Sequence, residues 1–105
     1  MSKTELAVAC ILTDSEMRIR RENVLSKVAE RLLGCKELAN GYSYCFPAED
    51  QVLQDLINLI NLERKCCSFL NFKLIVESQN ESVALELTGQ QGTKEFLKTI
   101  FDRNN

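Results

Sequence analysis

The apolar residues of this chain switch back and forth between a helical period and a two-residue period, and that switching limits the fold more than any other feature of the sequence. Met17, Val24, Leu25, Val28 and Leu32 recur at helical spacing. Thr13 and Glu16 form a capping box before them, and Gly34 is placed to end the helix in a left-handed conformation, so a first helix is expected from about Asp14 to Leu33. Tyr42, Tyr44 and Phe46 then alternate with Ser43 and Cys45, the signature of a half-buried strand that stops at Pro47. Asn40-Gly41 is a tight-turn dipeptide, which makes Cys35 to Leu38 a short partner strand. The helical period returns at Val52, Leu53, Leu56, Ile57 and Ile60, widened by Leu59 and Leu62, so this second helix should be the most buried.

Alternation resumes with Leu70, Phe72, Leu74 and Val76 and again with Val83, Leu85 and Leu87, and the polar stretch "SQNE" between them marks a hairpin. Phe96, Leu97, Ile100 and Phe101 give one face of a short closing helix. The predicted fold is therefore α+β: a single domain over residues 1–105, with three helices packed on one face of a small, mostly antiparallel sheet. The helix between the 42–46 and 70–76 strands makes a crossover, right-handed if those strands are parallel neighbours.

A chain of 105 residues that is 45% hydrophobic and 27% charged has the composition of an ordered globular domain. Its net charge of −2 provides no global field for nucleic acid or an anionic membrane. Arg18, Arg20, Arg21, Lys27 and Arg31 fall on the first helix, but Glu16, Glu22 and Glu30 are interleaved with them, which reads as a solvated face. The longest apolar run, "LAVACIL" at residues 6–12, is too short to span a bilayer and lacks a secretory cleavage pattern, so the expected compartment is the cytoplasm. Neither nucleic acid nor membrane is expected as a partner, and a homo-oligomer is compatible with the composition.

The five cysteines are an odd number, better read in a reducing compartment as thiols than as a disulfide framework. Two of them, Cys66 and Cys67, are adjacent in "LERKCCSFLNF", where the helical pattern gives way to a strand. Their α-carbons are about 3.8 Å apart, below the usual disulfide range, so a bond between them would be strained. With no histidine in the chain, a Cys-His dyad and mixed Cys/His zinc patterns are excluded. A helix C-terminus also disfavours a thiolate, opposed only by Arg64 and Lys65, so a hydrolytic nucleophile is not expected.

Metal ligation passes these tests better. Glu63 precedes Cys66 by three residues and Cys67 by four, so a carboxylate and two sulfurs can converge on the last helical turn. Paired thiolates select soft or borderline cations such as Zn, Cd or Hg, and Cys10 could add a third sulfur if the N-terminal segment folds back. The competing reading makes Cys66 and Cys67 small hydrophobes that fill space between helix and strand. Cys35 and Cys45 belong to no ligand pattern and are read as packing residues.

Two weaker signals complete the sequence. In "LTGQQGTKEF", backbone N–H groups near Gly92 and Thr93 could hold an anion, although a plain tight connection is the commoner reading. Tyr42, Tyr44 and Phe46 could stack on bases, but in an acidic chain they read as a core face.

Around "LERKCCSFLNFKLIVE", "VALELTGQQGTKEFL", "ACILTDSEM" and "NGYSYCFP", the sequence resembles a family of small bacterial proteins with an E-R-x-C-C-x-F-L-x-F core, from about Cys10 to Phe101. Members of that family resemble segments associated with resistance to mercury and other thiophilic metals. The resemblance implies a soft-metal or metalloid role carried by Glu63, Cys66 and Cys67, with Cys10 weaker, and names no reaction. The expected function is a thiol-based binding protein, acting as accessory, carrier or sensor rather than as an enzyme. The alternatives are an interaction module with structural cysteines, or a thiol redox protein with Cys10 as resolving thiol.

Overall fold

A computed structural model describes residues 15–67 and 69–101. The elements run α1 (Ser15–Glu30), β1 (Gly34–Leu38), β2 (Gly41–Pro47), α2 (Asp50–Cys66), β3 (Leu70–Ile75), β4 (Ser82–Gly89) and α3 (Thr93–Phe101). The chain is thus α+β, with three helices and one four-stranded sheet in the order β1-β2-β4-β3, antiparallel throughout. Because β4 lies antiparallel to both β2 and β3, those two strands are parallel to each other but are not neighbours. The α2 crossover therefore skips over the position that β4 later fills.

Register explains which residues are buried. Tyr42, Tyr44 and Phe46 lie opposite Leu87, Leu85 and Val83, and Phe72 and Leu74 lie opposite Leu87 and Leu85 from the other side. Side chains that pair across strands share a face, so these residues form one apolar surface. Leu25 and Val28 of α1, Val52, Leu56 and Leu59 of α2, and Leu97 of α3 join the same core cluster. Each such buried side chain contributes roughly 1.5–3 kcal/mol relative to exposure. The opposite face carries Lys36, Ser43, Glu86 and Lys73 in one cross-strand row, in which the acidic Glu86 stands opposite the basic Lys73.

Local expectations fail where tertiary pairing overrides them. α1 ends at Glu30, three residues early: Arg31 N–H and Leu32 N–H tighten onto Val28 O and Ala29 O at 3.0 and 3.3 Å, and Leu33 N–H is already bonded to Cys45 O at 2.7 Å. Gly34 is not a left-handed cap but the first residue of β1, paired with Cys45. The β1–β2 turn consists of Ala39 and Asn40, with Gly41 in the ladder opposite Leu38. Gly41 is required by a close approach, because a Cβ there would lie 1.9 Å from Leu87 O. Ile57, assigned to the apolar face of α2, is 48% exposed, and Val76 falls just beyond β3 in solvent.

The capping residue Thr13 lies outside the described residues, as do the side chains of Met17, Ile100 and Phe101. Among the described residues no helix is long and apolar enough to cross a membrane.

Candidate functional site

The end of α2 is built from two helices whose core stripes each carry one charge. On α2, Glu63 continues the line of Leu56 and Leu59 at i+7 and i+4, so the period that buries those leucines also turns the carboxylate inward. On α1, Arg21 precedes Leu25 and Val28 by four and seven residues and shares their face. The two charges meet: the Arg21 guanidinium donates from Nε to Glu63 Oε2 and from Nη2 to Oε1, the latter at 3.2 Å. Glu63 is only 3% exposed, and the Arg21 side chain 13%. A two-pronged Arg–carboxylate pair is the arrangement best suited to hold charge away from water.

Cys67 completes the cluster. It caps α2, its backbone N–H bonded to Glu63 O at 2.6 Å, while its thiol donates to Glu63 Oε1 at 3.3 Å. The carboxylate therefore receives both guanidinium and thiol, and Cys67 itself is fully buried at 0% exposure. Just past it Leu70 N–H returns to Cys67 O at 3.0 Å, which ties the start of β3 to the end of the helix.

Of the four residues expected to ligate a metal, Glu63 and Cys67 are in contact. Cys66 ends α2, and its side chain lies outside the described residues, as does all of Cys10. Among the described residues no group of three or more Cys, Asp, Glu or His side chains is arranged to hold a metal ion. Arg21 was assigned to a solvated face; its burial against Glu63 corrects that reading. The signal that marks it is the i, i+4, i+7 spacing from Arg21 to the core residues Leu25 and Val28.

A second thiol sits in a contrasting setting. Cys35 lies on the edge strand β1 and is exposed rather than packed, opposite Tyr44 on β2. Partial burial, then the nearby Glu37, pushes its thiol up from the ordinary value. Glu37 is bonded by the Lys94 ammonium of α3, and that hydrogen bond and charge hold its carboxyl below the usual range. Lys94 also lies over the Tyr42 ring, 5.9 Å from its centroid. Burial, with Cys35 and Tyr42 adding to it, raises the Tyr44 phenol well above its ordinary value.

No protein-family model, curated protein or solved structure matches the chain.

Proposed function

We propose that the protein is a thiol-based binder of a soft metal ion or metalloid, with Cys67 and its neighbour Cys66 as thiolate donors. The observation that supports this reading is the hydrogen bond from the Cys67 thiol to a buried carboxylate already anchored by Arg21. In this reading Glu63 and Arg21 are positioning residues, since both carboxylate oxygens are engaged. A divalent cation taken up by two thiols releases two protons to solvent and leaves M(SR)2, which is neutral. The net charge around the Arg21–Glu63 pair is then unchanged, which avoids the large penalty of an uncompensated buried charge. Because Cys67 is covered, uptake requires the last turn of α2 to open, so binding should show a slow phase limited by that opening.

The complete burial of Cys67 favours a second reading, in which the cysteines pack and the protein is a non-enzymatic interaction module. Proton counting separates the two. Titrating reduced protein with Cd(II) in weak buffer should release about two protons per tightly bound ion and weaken as pH falls. The Cys66→Ser/Cys67→Ser double variant should lose that release with its fold intact. If the folded double variant releases the same protons, the thiol reading fails and the packing reading stands.

A further inference from the structure

The sheet has two open edges, and they differ. β1 forms one and β3 the other, each hydrogen-bonded on a single side among the described residues. An edge strand offers a row of backbone groups to any chain that can pair with it, and proteins usually guard it with charge. β1 is guarded: its central residue is Lys36, so two copies paired antiparallel about the strand centre would set lysine against lysine. β3 is not. Its outer half and the two residues that follow read Lys73-Leu74-Ile75-Val76-Glu77, with a charge of opposite sign at each end.

That stretch is complementary to itself. In an antiparallel pair related by a two-fold axis at Ile75, Lys73 of each copy lies opposite Glu77 of the other, Leu74 lies opposite Val76, and Ile75 meets Ile75. Side chains alternate along a strand, so the two charges and Ile75 share the open face of the sheet. Leu74 and Val76 share the face on which Leu74 stands opposite Leu85, under the helices. Lys73 and Glu77 are exposed, and the Asn80 amide donates to Glu77 Oε1 at 2.7 Å, which orients the carboxylate without neutralising it.

The apolar part of this edge is uncovered. Val76 is 57% exposed, and Leu74 and Ile75 are half-buried. On α2, which packs against β3, Leu53, Ile57 and Ile60 form a stripe beside the core stripe of Val52, Leu56 and Leu59, on the flank opposite the buried Leu62. α1 is the main helical neighbour of α2, so the covered flank is its side and the open stripe faces out above the β3 edge. From the tight Cys67–Leu70 connection, β3 rises about 16 Å to Ile75 and α2 about 15 Å back to Ile57. Exposed Ile57 therefore stands at the level of Ile75.

We infer that the protein pairs with a second copy of itself through β3, antiparallel about Ile75. The two four-stranded sheets become one continuous sheet, and the Ile57 flank of α2 meets its counterpart above the junction. The strand contact supplies backbone hydrogen bonds, the Lys73–Glu77 pairs fix the register, and the apolar residues between them exclude water. A junction this short lies at the low end of specific interfaces, so the association is in the micromolar range. It does not depend on the thiol reading.

The test is sedimentation velocity of the reduced full chain over a concentration series at low ionic strength, where charge pairs are least screened. The parent should pass from monomer to dimer. Lys73→Glu and Glu77→Lys each turn two opposite-charge pairs into like-charge pairs, and each should weaken dimerisation about tenfold or more. An equimolar mixture of the two variants should dimerise like the parent, because one copy then carries two acidic ends and the other two basic ends. A parent that stays monomeric up to millimolar concentration, a dimer indifferent to either reversal, or a mixture that fails to recover would overturn the assignment.

Discussion

The molecule contains the same three chemical groups twice, a thiol, a carboxylate and a cation, in opposite surroundings. At the end of α2, Cys67, Glu63 and Arg21 are buried together and joined by hydrogen bonds. At the sheet edge, Cys35 lies on β1 near Glu37, which Lys94 holds from α3, and both Cys35 and Glu37 face solvent. Environment rather than composition decides what each trio can do. In the first, the ion pair is indispensable because neither charge can be hydrated if the other is lost; in the second, water replaces either partner at little cost.

The largest expected effect follows from that contrast. Arg21→Met leaves Glu63 buried without its counter-charge and should destabilise the fold by about 3–5 kcal/mol in urea denaturation. Replacing both partners, Arg21→Met with Glu63→Leu, should recover much of that loss, because two apolar groups need no pairing. A double variant as unstable as the single one would mean that the pair does more than compensate its own charges.

Cys67→Ala comes next. It removes the thiol donor and a small buried volume while leaving the ion pair in place, with an expected loss of about 1–2 kcal/mol. Cys35→Ala, at the exposed edge, should be indistinguishable from the parent in the same assay. Thiol labelling should follow the same division: iodoacetamide on native protein modifies Cys35 and spares Cys67. The rate at Cys35 should stay slow at neutral pH and climb in the alkaline range, because its thiol is raised by partial burial and by Glu37. Labelling of Cys67 at the rate of Cys35 would show that the end of α2 opens far more readily than its packing implies.

The smallest effect is one of pH. The Tyr44 phenol is raised by burial in the folded protein, so the native state holds its proton where the unfolded chain has lost it. Stability from this source is complete below the ordinary tyrosine value near 10 and declines as pH rises above it. Ultraviolet titration should record a phenol ionisation displaced well above the ordinary tyrosine range that Tyr44→Phe removes, and the same variant should flatten the alkaline loss of stability.

The order of helices and strands was legible because every element except β1 buries one face, and burial imposes a period that sequence displays directly; β1, exposed along nearly its whole length, was marked only by the Asn40-Gly41 turn dipeptide that follows it. The ends were less so. α1 stops at Glu30 because Leu33 is recruited to Cys45 of β2, a contact made by residues twelve apart that no local signal at Gly34 announces. Ile57 was assigned to the core on its neighbours' spacing, yet it sits at the margin of the stripe that Val52, Leu56 and Leu59 define. At the site, the spacing from Glu63 to Cys67 foretold their contact, whereas Arg21 was hidden among interleaved charges. Its register with Leu25 and Val28 was the only mark of its burial, and its partner lies 42 residues away.

The thiol reading is tested most directly by following the cadmium–thiolate absorption of reduced protein during titration with Cd(II), in parallel for the parent, Cys66→Ser/Cys67→Ser and Cys35→Ser/Cys45→Ser. The parent and the Cys35/Cys45 variant should bind one ion tightly with the same absorption, and the Cys66/Cys67 variant, folded by circular dichroism, should lose the tight phase. Equal tight binding by all three proteins, or its loss only in the Cys35/Cys45 variant, would contradict a thiol site at the end of α2.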